Sequence, residues 1–446
     1  MADSASRESV GYSHHKTLTG IGYFLDGYNL NSVAVFTFLL IQYKFFSYDA
    51  VQLGFVTGIS LLGAVAGAVL VGRISDLLGR RRTYFLYPIL FIIFPLASAL
   101  SWNISVLIIF RFFLGIGIGA DYAVGPVYSI EQMQESSRGK GYGYIWAFWS
   151  LGAAVSFFTG LIALHYVGTE SWRIALGISS IPATLLIFIR FDVPESEKWT
   201  STDISKNHSS IDNEPVLRQA ESVGNENQLG VSKLFRGNLG YRTVVVWTQW
   251  ILLDIGSYGF TLYTPIIVSQ IGYGIYSSLV ITGILYTFGF LAAIISMGWN
   301  DRYGRKIIQE MGFFFMAVGM SMILISSELR GQFALPISFA GLILWFASEN
   351  IGPGNTMGLY AMELFPTRLR STSMGAATAI TRLVSFLSAF EFPLLLIIVG
   401  REAFFILMIA VMCAAFLFTV VFTPETRGLT LDQVVNYKLK KGKLVP

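Results

Sequence analysis

Seven ionisable residues, Asp26, Arg111, Asp121, Glu131, Asp254, Glu363 and Arg382, sit inside or at the edges of otherwise apolar segments. Carrying a charge into hydrocarbon is costly, so such residues face a protein interior or a watery cavity and mark the path of a solute or ion. Desolvation disfavours the charged carboxylate, which suits Asp26, Asp121 and Asp254 to taking up and releasing a proton near neutral pH. Arg111 stays charged in such a setting and is expected to hold Asp26 ionised until a proton replaces that contact. Arg382, midway along its segment, offers a planar fork that fits two oxygens of a phosphate or carboxylate. An anion repelled by ionised Asp121 or Asp254 would be accepted once that carboxyl is protonated, so protons are the expected coupling ion. A structural alternative stands beside this. Tyr28, Asn29, Ser257 or Tyr258 could satisfy Asp26 and Asp254, Arg382 could pair with Asp254 or Glu391, and Trp250 and Tyr258 could be packing aromatics.

The elements that must position these groups are membrane-spanning helices. Of 446 residues, 54% are apolar and 13% charged, and Phe alone occurs 36 times; ordinary soluble domains carry roughly 25% charged residues. Twelve segments are long enough to span a bilayer, near 17–41, 51–73, 82–101, 104–127, 141–165, 172–191, 241–268, 276–299, 307–327, 333–360, 371–397 and 402–423. This predicts an all-α membrane protein in two pseudo-symmetric six-helix bundles, 1–191 and 241–423. A polar cytoplasmic linker at 192–240 joins them and a cytoplasmic tail at 424–446 follows. The stretch before Thr17 shows no cleavable leader pattern, so the first apolar segment is expected to remain a helix. Lys and Arg cluster in loops on one side, at Arg80 to Arg82, Arg138, Lys140, Arg302, Arg305, Lys306, Arg368 and Arg370. That bias predicts both termini in the cytoplasm of a plasma-membrane protein. It also accounts for the net charge of +4 without nucleic acid. One Cys and four His in no ligating or catalytic pattern predict neither a metal, a cofactor nor an enzyme.

The halves echo each other. Glu363 and Arg370 (MELFPTRLR) repeat Glu131 and Arg138 at one common interval, GRISDLLGRRR returns as GWNDRYGRK, PESEKW returns as PETRGLTL, and Asp254 in ILLDIGSYG answers Asp26 in YFLDGYNL. Transporter folds are often built from such repeats, with the site between them. Asp76, Gly79 and Arg80 with Glu131 and Arg138, and Asp301 and Arg305 with Glu363 and Arg370, are expected to form a charge-assisted cytoplasmic gate.

These motifs, in this order, resemble the major facilitator superfamily across nearly the whole chain. That resemblance implies a central cavity and alternating access by rocking of the halves. GYFLDGYNL, GADYAVGPVYSIE, WILLDIGSYG and GRKIIQEMGF further resemble the proton-coupled phosphate symporters. By that match Asp26 and Asp254 take part in proton transfer, and Asp121, Tyr122, Trp250, Tyr258 and Asn355 lie at or near the phosphate. Asn29 and Arg382 stand where that family has an acid and a Lys. PESEKW and PETRGLTL are equally similar to sugar porters, and Gln249, Asn350 and Asn355 could bind hydroxyls, although a QQxSG-type motif is missing. FLDGYNL also resembles aromatic-acid proton symporters. The expected partners are a small solute and the lipid bilayer, the expected state is a monomer, and a non-transporting membrane sensor is the reading from another class.

Overall fold

A computed structural model of the chain describes residues 2–78, 80–131, 133, 135–190, 231–270, 272–329 and 333–445. Gly79, the side chains of Asp76 and Arg80, and most of the expected linker lie outside the described residues.

Ten helical stretches are long and apolar enough to cross a bilayer, and the pair Gly237–Leu262 and Thr264–Gln270, bent by 55°, is an eleventh. One of the ten, Arg138–Arg190, has 53 residues, more than twice what a span needs. It breaks at Gly168, whose φ is 60°, and supplies two spans, which brings the described residues to twelve. In chain order the helices of the first half are α1 (Ala2–Tyr43), α2 (Ala50–Leu78), α3 (Arg80–Leu86), α4 (Pro88–Ala99), α5 (Ile104–Glu131), α6 (Arg138–Val167), α7 (Ser171–Gly177) and α8 (Ser180–Arg190). Those of the second half are α9 (Gly237–Leu262), α10 (Thr264–Gln270), α11 (Ile275–Ser296), α12 (Trp299–Tyr303), α13 (Arg305–Glu328), α14 (Ala334–Ile351), α15 (Pro353–Glu363) and α16 (Arg370–Phe422). Gly400, with φ 78°, divides α16 into the last two spans. Pro265 and Pro353 follow the breaks in the seventh and tenth spans, where a missing N–H and a ring clash stop the preceding helix. After the membrane the chain adds α17 (Leu431–Asn436) and a hairpin, β1 (Lys438–Lys440) with β2 (Lys443–Val445), which the all-helical expectation did not include.

Two interfaces join the halves: α2 lies along the first part of α16, and α6 lies along α11. Small residues let these backbones approach without a hydrophobic driving force. A Cβ on Gly58 would stand 2.9 Å from the Phe386 ring, so any larger residue there would wedge α2 away from α16. Phe55 meets Phe386 and Phe390 at ring separations of 6.0 and 5.2 Å, and Phe157 stacks on Tyr286 at 5.5 Å.

Candidate functional site

The interface holds a small cavity of about 20 Å³. Tyr142, Trp146 and Trp149 of α6 line one wall; Trp250, Asp254 and Tyr258 of α9, Tyr286 of α11, Glu349 and Asn350 of α14, and Arg382 of α16 line the other. Arg382 is the cation among the lining residues. Its Nη1 lies 3.6 Å from Asp254 Oδ2 and donates to the Tyr258 hydroxyl, while Ser385 Oγ donates to Asp254 Oδ2 at 2.6 Å. The guanidinium sits 4.6 Å from the Tyr122 ring centre and 4.8 Å from that of Tyr258, so it bridges the halves. Its Nε has no partner. Across the cavity Ser257 donates to Glu349. Trp146 Nε1, at 3.0 Å, and Ser150 both donate to the Asn350 side-chain oxygen, so a second polar clasp links the halves.

A separate cluster is buried in the first half. Asp26 and Asp121 are buried neighbours, and among the described residues neither oxygen of Asp26 has a hydrogen-bond partner. Two neighbouring carboxyls in a dry interior cannot both be ionised without a large cost. Asp121 also accepts from the Tyr87 hydroxyl and lies 3.8 Å from Arg190 Nη2.

On the basic side, Glu131 Oε1 meets Arg370 Nη1 at 3.2 Å and Glu363 Oε1 meets Arg138 Nη1 at 3.3 Å, all four side chains being buried. The expected pairs within each half are thus corrected: the two repeats exchange partners, and each ion pair crosses from one half to the other. Arg305 Nη2 reaches Glu363 and Asp301, each at 3.2 Å. Asp301 accepts the Gly139 and Lys140 N–H groups at 3.0 and 2.7 Å, a carboxylate of one half on a helix N-terminus of the other.

Three other expectations are corrected. Arg111 does not hold Asp26; its Nη2 donates to the Asn29 carbonyl at 2.5 Å, one helical turn beyond that carboxyl. Gln249 is absent from the cavity lining: it donates to Thr423 and accepts from Gln309 Nε2 at 3.0 Å. Five residues before Asp254, it points about 140° away around the helix, whereas Trp250 shares the Asp254 face. Asn355 is likewise outside the lining, although Gly354 and Met357 of the same helix reach it; its side chain lies against Gly143 of α6, and its carbonyl accepts from Asn300 Nδ2 at 3.1 Å. Sequence reasoning did not find Arg190, Tyr87, Trp146 or Trp149. Arg190 ends a span, where an Arg ordinarily serves topology, and the aromatics are indistinguishable by type from the many that pack in lipid.

The fold and its buried charges define a multi-pass membrane transporter of the major facilitator fold. The chain belongs to the sugar (and other) transporter family, whose model matches residues 16–437. It is 27% identical to the inorganic phosphate transporter 1-2 of Oryza sativa subsp. japonica, over 84% of this chain and 82% of that one. Against the putative metabolite transport protein YaaU of Escherichia coli (strain K12) the identity is 26%, over 95% and 94%. Among solved structures, the proton:xylose symporter XylE bound to 6-bromo-6-deoxy-D-glucose superposes with a TM-score of 0.79 at 20% identity, over 96% of this chain and 99% of that one. The inward-open conformation of XylE from E. coli gives 0.67 at 21% identity, over 94% and 98%.

Proposed function

We propose that this protein is a proton-coupled symporter that imports a small oxyanion, inorganic phosphate in the first place, by alternating access. The halves 1–191 and 241–423 rock about the cavity, joined by the cytoplasmic linker 192–240. The observation that carries this reading is the pairing of a proton-sharing site, Asp26 with Asp121, with an anion-ready cation, Arg382, reached from both halves. Arg382 is neutralised by Asp254 when the site is empty. A phosphate at the guanidinium displaces that contact, and Asp254 then takes a proton and donates to the anion instead of repelling it. Tyr258 and Tyr122 hold the fork in place, and Trp250 closes the wall. The names of the phosphate-transporting relatives support the anion.

The crossed pairs form the gate on the cytoplasmic side, completed by Asp76, Gly79 and Arg80, and the plasma membrane is the location. The transporter acts as a monomer. A second reading rests on Trp146 and Trp149 of one wall facing Trp250, Glu349 and Asn350 of the other, which suits a sugar, a polyol or an aromatic acid. Uptake of labelled phosphate into proteoliposomes, with and without an inward proton gradient and challenged by excess sugars and organic acids, tests both. Gradient-driven phosphate uptake that is lost in Asp26→Asn supports the proposal; no phosphate flux together with competed sugar or carboxylate uptake overturns its substrate.

A further inference from the structure

Arg190 ends the sixth span, yet it is only 2% exposed and is held through both terminal nitrogens. Its Nη1 donates to the Tyr84 carbonyl at 3.0 Å and to the Tyr87 hydroxyl at 2.7 Å, and its Nη2 donates to the Leu18 carbonyl at 3.2 Å. The guanidinium carbon stands 3.7 Å from the Tyr84 ring centre. Tyr84 in turn is fixed by Thr19 at 2.9 Å, and Thr19 by Ser129 at 2.6 Å. An arginine that served only topology would reach water or headgroups; this one is built into the protein.

Its charge is directed at Asp121. The two side chains are both 0% exposed and 3.8 Å apart. Tyr87 strengthens the link, because its hydroxyl accepts from Arg190 and donates to Asp121, a polarised chain from cation to carboxylate. The sequence keeps this space free: a Cβ on Gly22 would fall 2.5 Å from Asp121 Oδ2 and 3.0 Å from Arg190 Nη2. Asp26 has no such support: among the described residues neither of its oxygens has a hydrogen-bond partner. The other groups facing the pair are Tyr23, Tyr122 and Tyr142, with Arg382 acting from the cavity side. A charged Asp26 would therefore be unsolvated, whereas a charged Asp121 is matched by a cation and a hydroxyl donor.

We propose that Arg190 is a positioning residue of the proton site: it holds Asp121 as the anion and so keeps the shared proton on Asp26. This rests on the reading of Asp26 as the proton carrier. Neither Arg190 nor Tyr87 lines the cavity, so they act on coupling through the pair. Removing the cation strengthens the pair's hold on its proton, and release then requires a higher pH.

The test compares R190Q, R190K and Y87F with the parent in proteoliposomes, reading gradient-driven phosphate accumulation over a series of pH values. R190Q is expected to move the curve towards alkaline pH by about one unit or more, the usual influence of a close Arg on an Asp. Y87F is expected to move it the same way by less, and R190K to stay nearer the parent. A curve left in place in R190Q, with only its amplitude reduced, overturns the proposal. Infrared titration of the substrate-free protein separates this from a wrong substrate. The protonated-carboxyl band, assigned by its loss in D26N, should titrate at higher pH in R190Q whatever solute is carried; a band at the parental pH sinks the assignment.

Discussion

Substituting Glu131 by Gln removes one of the two crossed pairs on the basic side and reads directly on the balance between conformations. Glu131 and Arg370 are 3.2 Å apart and buried. Losing one partner of such a pair typically costs about 3–5 kcal/mol, because the other charge stays desolvated. Once the halves separate, both groups reach water, where such a pair contributes about 0–1 kcal/mol. The difference of about 2–5 kcal/mol falls on the closed form alone, and at about 1.4 kcal/mol per decade it lowers the closed-to-open ratio by roughly one and a half to three and a half decades. Spin labels at Ser136→Cys and Arg427→Cys, both exposed on the basic side, with Cys413→Ser to remove the native thiol, report that balance as a distance distribution. E131Q should populate a longer distance, and the charge swap E131R with R370E should recover part of the shorter one. A distribution in E131Q that matches the parent would refute the crossed-pair gate.

Replacing Arg382 by Lys keeps a charge but loses the fork that spans Tyr258 and Asp254. Solute affinity measured by scintillation proximity should fall at least about tenfold, consistent with the 1.5–3 kcal/mol of a charged hydrogen bond, and unaltered affinity would remove Arg382 as the anchor. Gln249→Ala breaks the contacts to Gln309 and Thr423, so thermal unfolding should show a loss of about 1–2 kcal/mol with affinity retained; weakened binding at unchanged stability would return Gln249 to the solute. Glu425 accepts the Arg305 and Lys306 N–H groups at 3.1 Å each, at the start of α13. E425Q should lower the unfolding temperature by the equivalent of about 1 kcal/mol, and an unchanged transition would show that this cap carries no stability.

The spans were legible because a bilayer imposes length and apolarity on each segment separately, and Pro265 and Pro353 mark their breaks as local chemistry. The mid-membrane acids were legible for the same reason: an isolated charge in apolar sequence has few structural uses. Partner choice was not. Glu131 and Glu363 are equivalent in the repeat, and only the packing of the halves decides that each takes the arginine of the other. Arg190 looks like a topology residue because its sequence position is the end of a span; its function comes from Tyr84 and Tyr87, about a hundred residues away, folding over it. Gln249 was placed by motif rather than by angle, and one helical step separates it from the Trp250 face.

The closed cavity also bears on what can pass through it. An ion that enters this small, buried lining gives up part of its hydration shell, and that cost rises steeply with charge when a group leaves water. A singly charged oxyanion therefore crosses the threshold at far lower cost than its doubly charged form, before any protein carboxyl has changed state. Acidification would then favour transport twice over, once through the carrier and once through the speciation of the solute. Rates plotted against the concentration of the monovalent species, instead of total solute, would separate the two contributions.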